Sequence, residues 1–175
     1  MDQISEQRLA SCHPLLQDKV RAAALECEAQ GVYIRVTSGL RTYAEQDALF
    51  FACHHPDGTR DFSKPWKTNA RGGWSNHNFG MAVDVVPSMH GKDVPFVPDW
   101  TEVHPAFQIM IRAMKAQGLA WGGDWKQKDD DHFQLADVEV TPTAENRTEY
   151  AQGGLPAVWS AYKDDDLSNP AIRAV

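Results

Sequence analysis

Apolar residues in this chain fall into short runs with two different periods. From Pro14 to Gln30, Leu16, Val20, Ala23, Ala24 and Cys27 recur at helical spacing, and Gly31 stops the pattern. Residues 32–38, Val-Tyr-Ile-Arg-Val-Thr-Ser, alternate apolar and polar and predict a half-buried strand. Thr42 to Glu45 has the form of a capping box, which opens a helix running toward Cys53. Residues 54–73 show no period; an unstructured stretch of that length inside a small domain is more often functional than idle. Residues 81–86, Met-Ala-Val-Asp-Val-Val, predict a short strand ended by Pro87. Phe107, Met110, Ile111 and Met114 mark a helix closed by Gly118. Residues 119–121 and 132–135 predict two more short strands around a polar turn, and beyond residue 140 only a short helix near 156–162 is expected. The sum is one small α+β domain over residues 1–175.

Composition narrows the classes. The 175 residues carry a net charge of −7, which argues against nucleic acid, whose binding depends on neutralising phosphates. No apolar run approaches the roughly 20 residues that cross a bilayer, so membrane insertion is not expected. The first residues carry acids where a secretory signal carries bases and lack an apolar core, which predicts synthesis in the cytoplasm. A monomer is expected. Cys12, Cys27 and Cys53 form no Cys-x-x-Cys pair and read as reduced, partly buried thiols.

Seven histidines are present. His13, His54, His55, His90 and His104 have no histidine or carboxylate partner at motif spacing and read as packing or surface residues. His77 differs. It precedes Gly80, which permits a tight turn, and then a strand in which Ala82 and Asp84 share a face. Asp84 can therefore return to the His77 imidazole. A second patch, Asp-Asp-Asp-His-Phe-Gln, supplies His132. Two imidazoles and one carboxylate make a three-ligand zinc set with a fourth position left for water, which marks a catalytic rather than a structural site. The chain has neither a Gly-x-Ser-x-Gly elbow nor a His-Glu-x-x-His helix.

The segment Ser-Asn-His-Asn-Phe-Gly-Met-Ala-Val-Asp (75–84) fits S-x-H-x-x-G-x-A-x-D at every fixed position. With Trp-Gly-Gly-Asp followed by D-x-x-H (121–132), Ser38–Gln46 and the opening Arg8–Leu16, it resembles the M15 family of zinc peptidases that cut peptidoglycan stem peptides, including the VanY and VanX types. Within that family the chain looks most like phage endolysins with L-alanyl-D-glutamate endopeptidase activity. The resemblance covers about residues 8–134 and leaves 140–175 unmatched. It implies a mainly antiparallel sheet packed against helices, with the site on the exposed face of the sheet. It also implies His77, Asp84 and His132 as zinc ligands, Asp129 as general base, and Arg41 as the cation facing the scissile carbonyl. Ser75 and Gln46 would lie near the substrate. The partner would be a peptidoglycan stem peptide, reached in the periplasm after the membrane is permeabilised.

The base remains open between two residues. Strand alternation puts Asp130 on the face of His132, whereas D-x-x-H spacing selects Asp129, which the resemblance favours. Related sequences carry a proline where this chain has Asp131. The runs Asp129–Asp131 and Asp164–Asp166 are otherwise read as solvated acids rather than a calcium site. Basic Arg60, Lys64, Lys67 and Arg71 in the long loop suit a carboxylate-bearing peptide, and Trp66 and Trp74 are candidate apolar walls. Two other readings stand beside the endopeptidase. One is a D-alanyl-D-alanine carboxypeptidase or dipeptidase of the same family; the other is a non-catalytic zinc domain that binds peptidoglycan or a protein partner.

Overall fold

A computed structural model describes residues 1–88 and 104–162. Asp2 accepts from the Ser5 amide and caps a short first helix, α1 (Gln3–Leu9). In α2 (Pro14–Ala29), His13 caps the N-terminus with its Nδ1, proline occupies the first turn, and Leu16, Val20, Ala23, Ala24 and Cys27 are all buried. A proline there costs nothing, because its missing N–H would have had no helical partner. Strand β1 (Tyr33–Ser38) and helix α3 (Tyr43–Phe51) follow, and α3 opens on the expected capping box of Thr42 and Glu45. A cap of this kind contributes about 1 kcal/mol. A 3-10 turn at Asn76–Phe79 leads into β2 (Ala82–Ser88). Helix α4 (Pro105–Ala116), β3 (Leu119–Trp121), β4 (His132–Leu135) and α5 (Ala144–Ser160) complete the described chain.

The four strands form one antiparallel sheet in the order β1-β2-β4-β3. Period-2 alternation divides its residues cleanly. Ile34, Val36, Val83, Val85, Leu119, Trp121, Phe133 and Leu135 enter the core, where α2 and α4 lie against the sheet with Phe107, Met110 and Met114. Asp84, His132, Ala82 and Gln134 lie on the opposite face in register, Asp84 beside His132 and Ala82 beside Gln134. Partners directly opposite in an antiparallel pair stand about 5 Å apart at Cβ, so β-pairing alone brings Asp84 and His132 together.

Two boundaries differ from the sequence expectation. Strand β2 does not end before Pro87 but continues through it, with Pro87 opposite Ile34. Strand β4 pairs only with residues 82–84, so Pro87 lies where β2 has a single neighbour, and there a missing N–H is tolerated. The C-terminal helix is not a short one near 156–162 but runs from Ala144, kinked at Gly154, where φ is 65°. His90 and the run Asp164–Asp166 lie outside the described residues. No described helix is long and apolar enough to cross a membrane. All three cysteines are free and buried, and burial pushes the Cys12 thiol up to about 11 and Cys27 to about 12. Free thiols in the interior match the expectation.

Candidate metal centre

Gly80 makes the first half of the site. It ends the 3-10 turn with φ 66°, a left-handed conformation natural to glycine, and a Cβ there would meet Trp159 at 3.2 Å and the Cys12 Cα at 3.3 Å. That turn carries His77 back over β2, where its Nε2 lies 3.0 Å from Oδ1 of Asp84. Gly122 makes the second half. A Cβ on it would sit 2.4 Å from the carbonyl oxygen of Asp129, so only glycine lets the 125–131 turn fold back toward His132.

The tautomers follow from the surroundings. Nδ1 of His77 lies 2.8 Å from the carbonyl oxygen of Gly39, which can only accept, so Nδ1 carries the hydrogen and Nε2 presents a lone pair. Gln134 settles His132 in the same way. Its Oε1 accepts from Asn76 Nδ2 at 2.9 Å while its own Nε2 donates to the Val138 carbonyl at 3.2 Å. Nε2 of His132, 3.2 Å from that Oε1, is therefore the donor, and Nδ1 presents the lone pair. Two lone pairs thus face each other across 3.3 Å, with Asp84 Oδ1 3.0 Å from one and 3.4 Å from the other. Three acceptors converging without a donor repel unless a cation lies among them. A tetrahedral zinc with arms of 2.0–2.2 Å needs ligands about 3.3–3.6 Å apart, so the residues fit that ion closely. Among the described residues His77, Asp84 and His132 are the one such group.

Both imidazoles are buried, and a cleft of about 760 Å³ opens beside them. Burial lowers His77, and although Asp84 opposes this, the histidine ends below its ordinary value. Burial would raise Asp84, but His77, His132 and Arg41 outweigh it and hold the carboxylate well below the usual range. Burial also pulls His132 down, yet the hydrogen bond and charge of Asp84 leave it raised. The metal-free pocket therefore favours a proton on His132, which a metal ion displaces.

Each residue named from sequence has a place. Arg41 lines the cleft and donates through Nη2 to Asp84 Oδ2, through Nε to Ser38 Oγ at 2.7 Å and through Nη1 to Gln46 Oε1 at 3.0 Å. Asp84 thus offers one oxygen to the histidines and the other to Arg41. Gln46 is fully buried behind Arg41 and also donates to the Ala70 carbonyl at 3.0 Å, so it braces the arginine rather than lining the cleft. Ser75 lines the cleft and caps the 3-10 turn, accepting from the His77 amide. Lys67 also lines it, whereas Lys64 pairs with Asp61 at 3.7 Å. Neither Trp66 nor Trp74 is core; both are half-exposed cleft residues.

All three aspartates of the 129–131 run border the cleft. Asp129 is exposed, and its carbonyl accepts from the His132 amide at 3.2 Å. The Asp130 carbonyl accepts from Trp121 Nε1 at 2.7 Å, which fastens that residue to β3. Asp131, noted in the sequence only as standing in place of a proline, was not a candidate for the chemistry. Burial, the charge of Asp84 and the charge of Asp129 push its carboxyl from 3.8 up to about 7, and it shares a hydrogen bond with Asp129. Its neutral form is the donor and Asp129 the acceptor. Because the folded state holds this proton more tightly than the unfolded chain, Asp131 stabilises the metal-free fold below about pH 4, and that contribution is lost as pH rises through about 7. Metal-free Asp131→Asn is expected to melt above the wild type at pH 8 and level with it at pH 4. A difference in melting temperature that does not vary with pH would refute this assignment.

Fold and site together define a candidate three-ligand metal centre beside an open cleft on an α+β scaffold. A family model described as D-alanyl-D-alanine carboxypeptidase, of the M15 peptidases, matches residues 68–135, the stretch holding all three candidate ligands and Asp129. The chain is 29% identical over 136 residues to the peptidoglycan L-alanyl-D-glutamate endopeptidase CwlK of Bacillus subtilis (strain 168), across 70% of this chain and 72% of that protein. The crystal structure of the Serratia marcescens L-Ala D-Glu endopeptidase ChiX aligns with a TM-score of 0.53 at 29% identity, covering 77% of this chain and 88% of that one. VanYB in complex with D-alanine-D-alanine aligns with a TM-score of 0.54 at 16% identity, over 89% of this chain and 83% of that one, a likeness of fold. The chain is thus similar to M15 peptidases, most directly over residues 68–135.

Proposed function

We propose that this protein is a zinc endopeptidase that cuts the L-alanyl-D-glutamate bond of peptidoglycan stem peptides. The convergence of two imidazole lone pairs and one carboxylate oxygen beside an open cleft carries the reading. The likeness to CwlK and ChiX supports the bond. His77 through Nε2, His132 through Nδ1 and Asp84 through Oδ1 would hold the ion. Bound zinc supplies a Lewis acid that polarises the scissile carbonyl and activates water. Asp129 takes the proton of the attacking water and returns it to the leaving amine. Asp131 orients Asp129 by donating to it. Arg41 holds Asp84 in place and adds a fixed positive charge at the cleft where negative charge develops on the carbonyl oxygen.

The family model's description supports a second reading, a D-alanyl-D-alanine carboxypeptidase built on the same metal centre. Digestion of purified sacculi followed by mass spectrometry separates the two: glycan bearing a terminal L-alanine supports the first, and released D-alanine the second. Either activity should disappear with a chelator and return with zinc. A finer proposal rests on the motif resemblance alone. In it the protein is a phage endolysin made in the host cytoplasm that reaches the wall once the membrane is permeabilised. Expression in a Gram-negative host should then lyse cells only when a membrane-permeabilising protein is co-expressed; lysis without one would sink the proposal.

A further inference from the structure

Exposed tryptophan is unusual on a small domain, and here two half-exposed indoles border the metal cleft, Trp66 at 47% and Trp74 at 50% exposure. Each is braced. The Arg147 guanidinium of α5 lies 4.1 Å from the Trp74 ring centre. That of Arg60 lies 5.2 Å from the Trp66 ring, and His54 meets the same ring edge-on. Arg60 is itself locked, its Nη1 donating to the Cys53 carbonyl at 2.6 Å and its Nη2 to the Lys64 carbonyl at 2.6 Å. A braced indole that still shows half its surface is a flat, rigid, apolar platform, and its geometry selects a flat apolar partner.

The stem peptide beside the scissile bond offers no such partner. Alanine presents a methyl group, and D-glutamate within the peptide presents one free carboxylate, which suits Lys67 and Lys126 at the same cleft. The L-alanine is joined directly to the lactyl ether of a muramyl sugar. One residue spans at most about 3.6 Å, so the sugar ring lies within about two residue lengths of the bond being cut. A pyranose has the flat C–H face an indole stacks on.

We propose that Trp66 and Trp74 form a subsite for the N-acetylated amino sugar of the glycan strand, so that the enzyme selects stem peptides still attached to glycan. This inference rests on the L-alanyl-D-glutamate reading. Under a D-alanyl-D-alanine specificity the sugar would lie several residues from the cleft.

The experiment compares kcat/KM on a disaccharide-linked stem peptide with that on the same peptide lacking sugar. In parallel, peptide-free glycan chains are titrated against tryptophan fluorescence. The wild type is expected to favour the glycan-linked substrate. Trp74→Ala and Trp66→Ala should each cut that preference by roughly tenfold and weaken glycan binding to match. Trp74→Phe, which keeps a ring, should retain part of both, whereas a general loss of fold would lower both substrates together and leave the ratio unchanged. Equal kcat/KM on the two substrates, or a ratio unmoved in both alanine variants, overturns the proposal. Should the wild type cut neither substrate, the peptidase reading fails, and the titration still decides the sugar site: no quenching by glycan chains rejects it.

Discussion

His77→Ala is expected to yield a protein that neither retains zinc through gel filtration nor cleaves sacculi. Removing this imidazole takes away one of three ligands, and nothing else in the described site supplies a lone pair there. It also leaves Gly39 without its donor and Asp84 with one buried histidine fewer. Gln134→Met makes the informative comparison. Methionine fills similar space but cannot accept from His132 Nε2, so His132 loses what fixes its tautomer. Outer-shell partners of this kind are worth about 10–100-fold in metal affinity. A chelator competition should therefore show Gln134→Met binding zinc more weakly by that factor, with activity restored at high zinc, while His77→Ala stays inactive at any concentration tested. In the wild type, zinc affinity should fall as the pH drops, because Asp84 holds a proton on His132 that the metal must displace. Stoichiometric zinc in active His77→Ala would remove the metal assignment.

The convergence of His77, Asp84 and His132 was legible because their spacing is chemical. No amphipathic pattern calls for His77 and Asp84 around Gly80, and β-alternation then placed Asp84 and His132 on one face. Elements with strong periods were equally plain: the stripes of α2 and α4 and the capping box of α3 all fall where expected. Helix α1 was missed because it buries only Ser5 and Leu9, too few for a stripe. The first half of α5 was hidden by Gly153, Gly154 and Pro156, breakers that read as a loop and prove to be a kink. Within the site, whatever depends on tertiary partners was invisible. Arg41 reads as a free cation and is bound to Asp84; Gln46 reads as a substrate contact and is buried behind Arg41. Gln134 was within reach, since a residue two beyond His132 on a strand must share its face.

Among the three aspartates, Asp129→Asn is expected to lower kcat by about 10²–10⁴-fold while zinc content stays at one per chain. Asp129 borders the cleft and is not one of the three residues whose acceptors could hold the ion. Its backbone is pinned at both ends, the amide donating to the Gly122 carbonyl at 3.1 Å and the carbonyl accepting from the His132 amide at 3.2 Å, so the side chain emerges at a fixed point beside the metal ligands. Asp131 supplies the contrast. Below about pH 7 its carboxyl is neutral and donates to Asp129, so Asp131→Asn keeps a donor at that place and should cost far less than Asp129→Asn, whereas Asp131→Ala leaves Asp129 unoriented and should cost more than the asparagine. Asp130, tied through its carbonyl to Trp121, should tolerate asparagine with near-normal kcat. If Asp130→Asn abolishes turnover and Asp129→Asn does not, strand alternation outranks the D-x-x-H spacing, and proton transfer belongs to Asp130 on the same zinc centre.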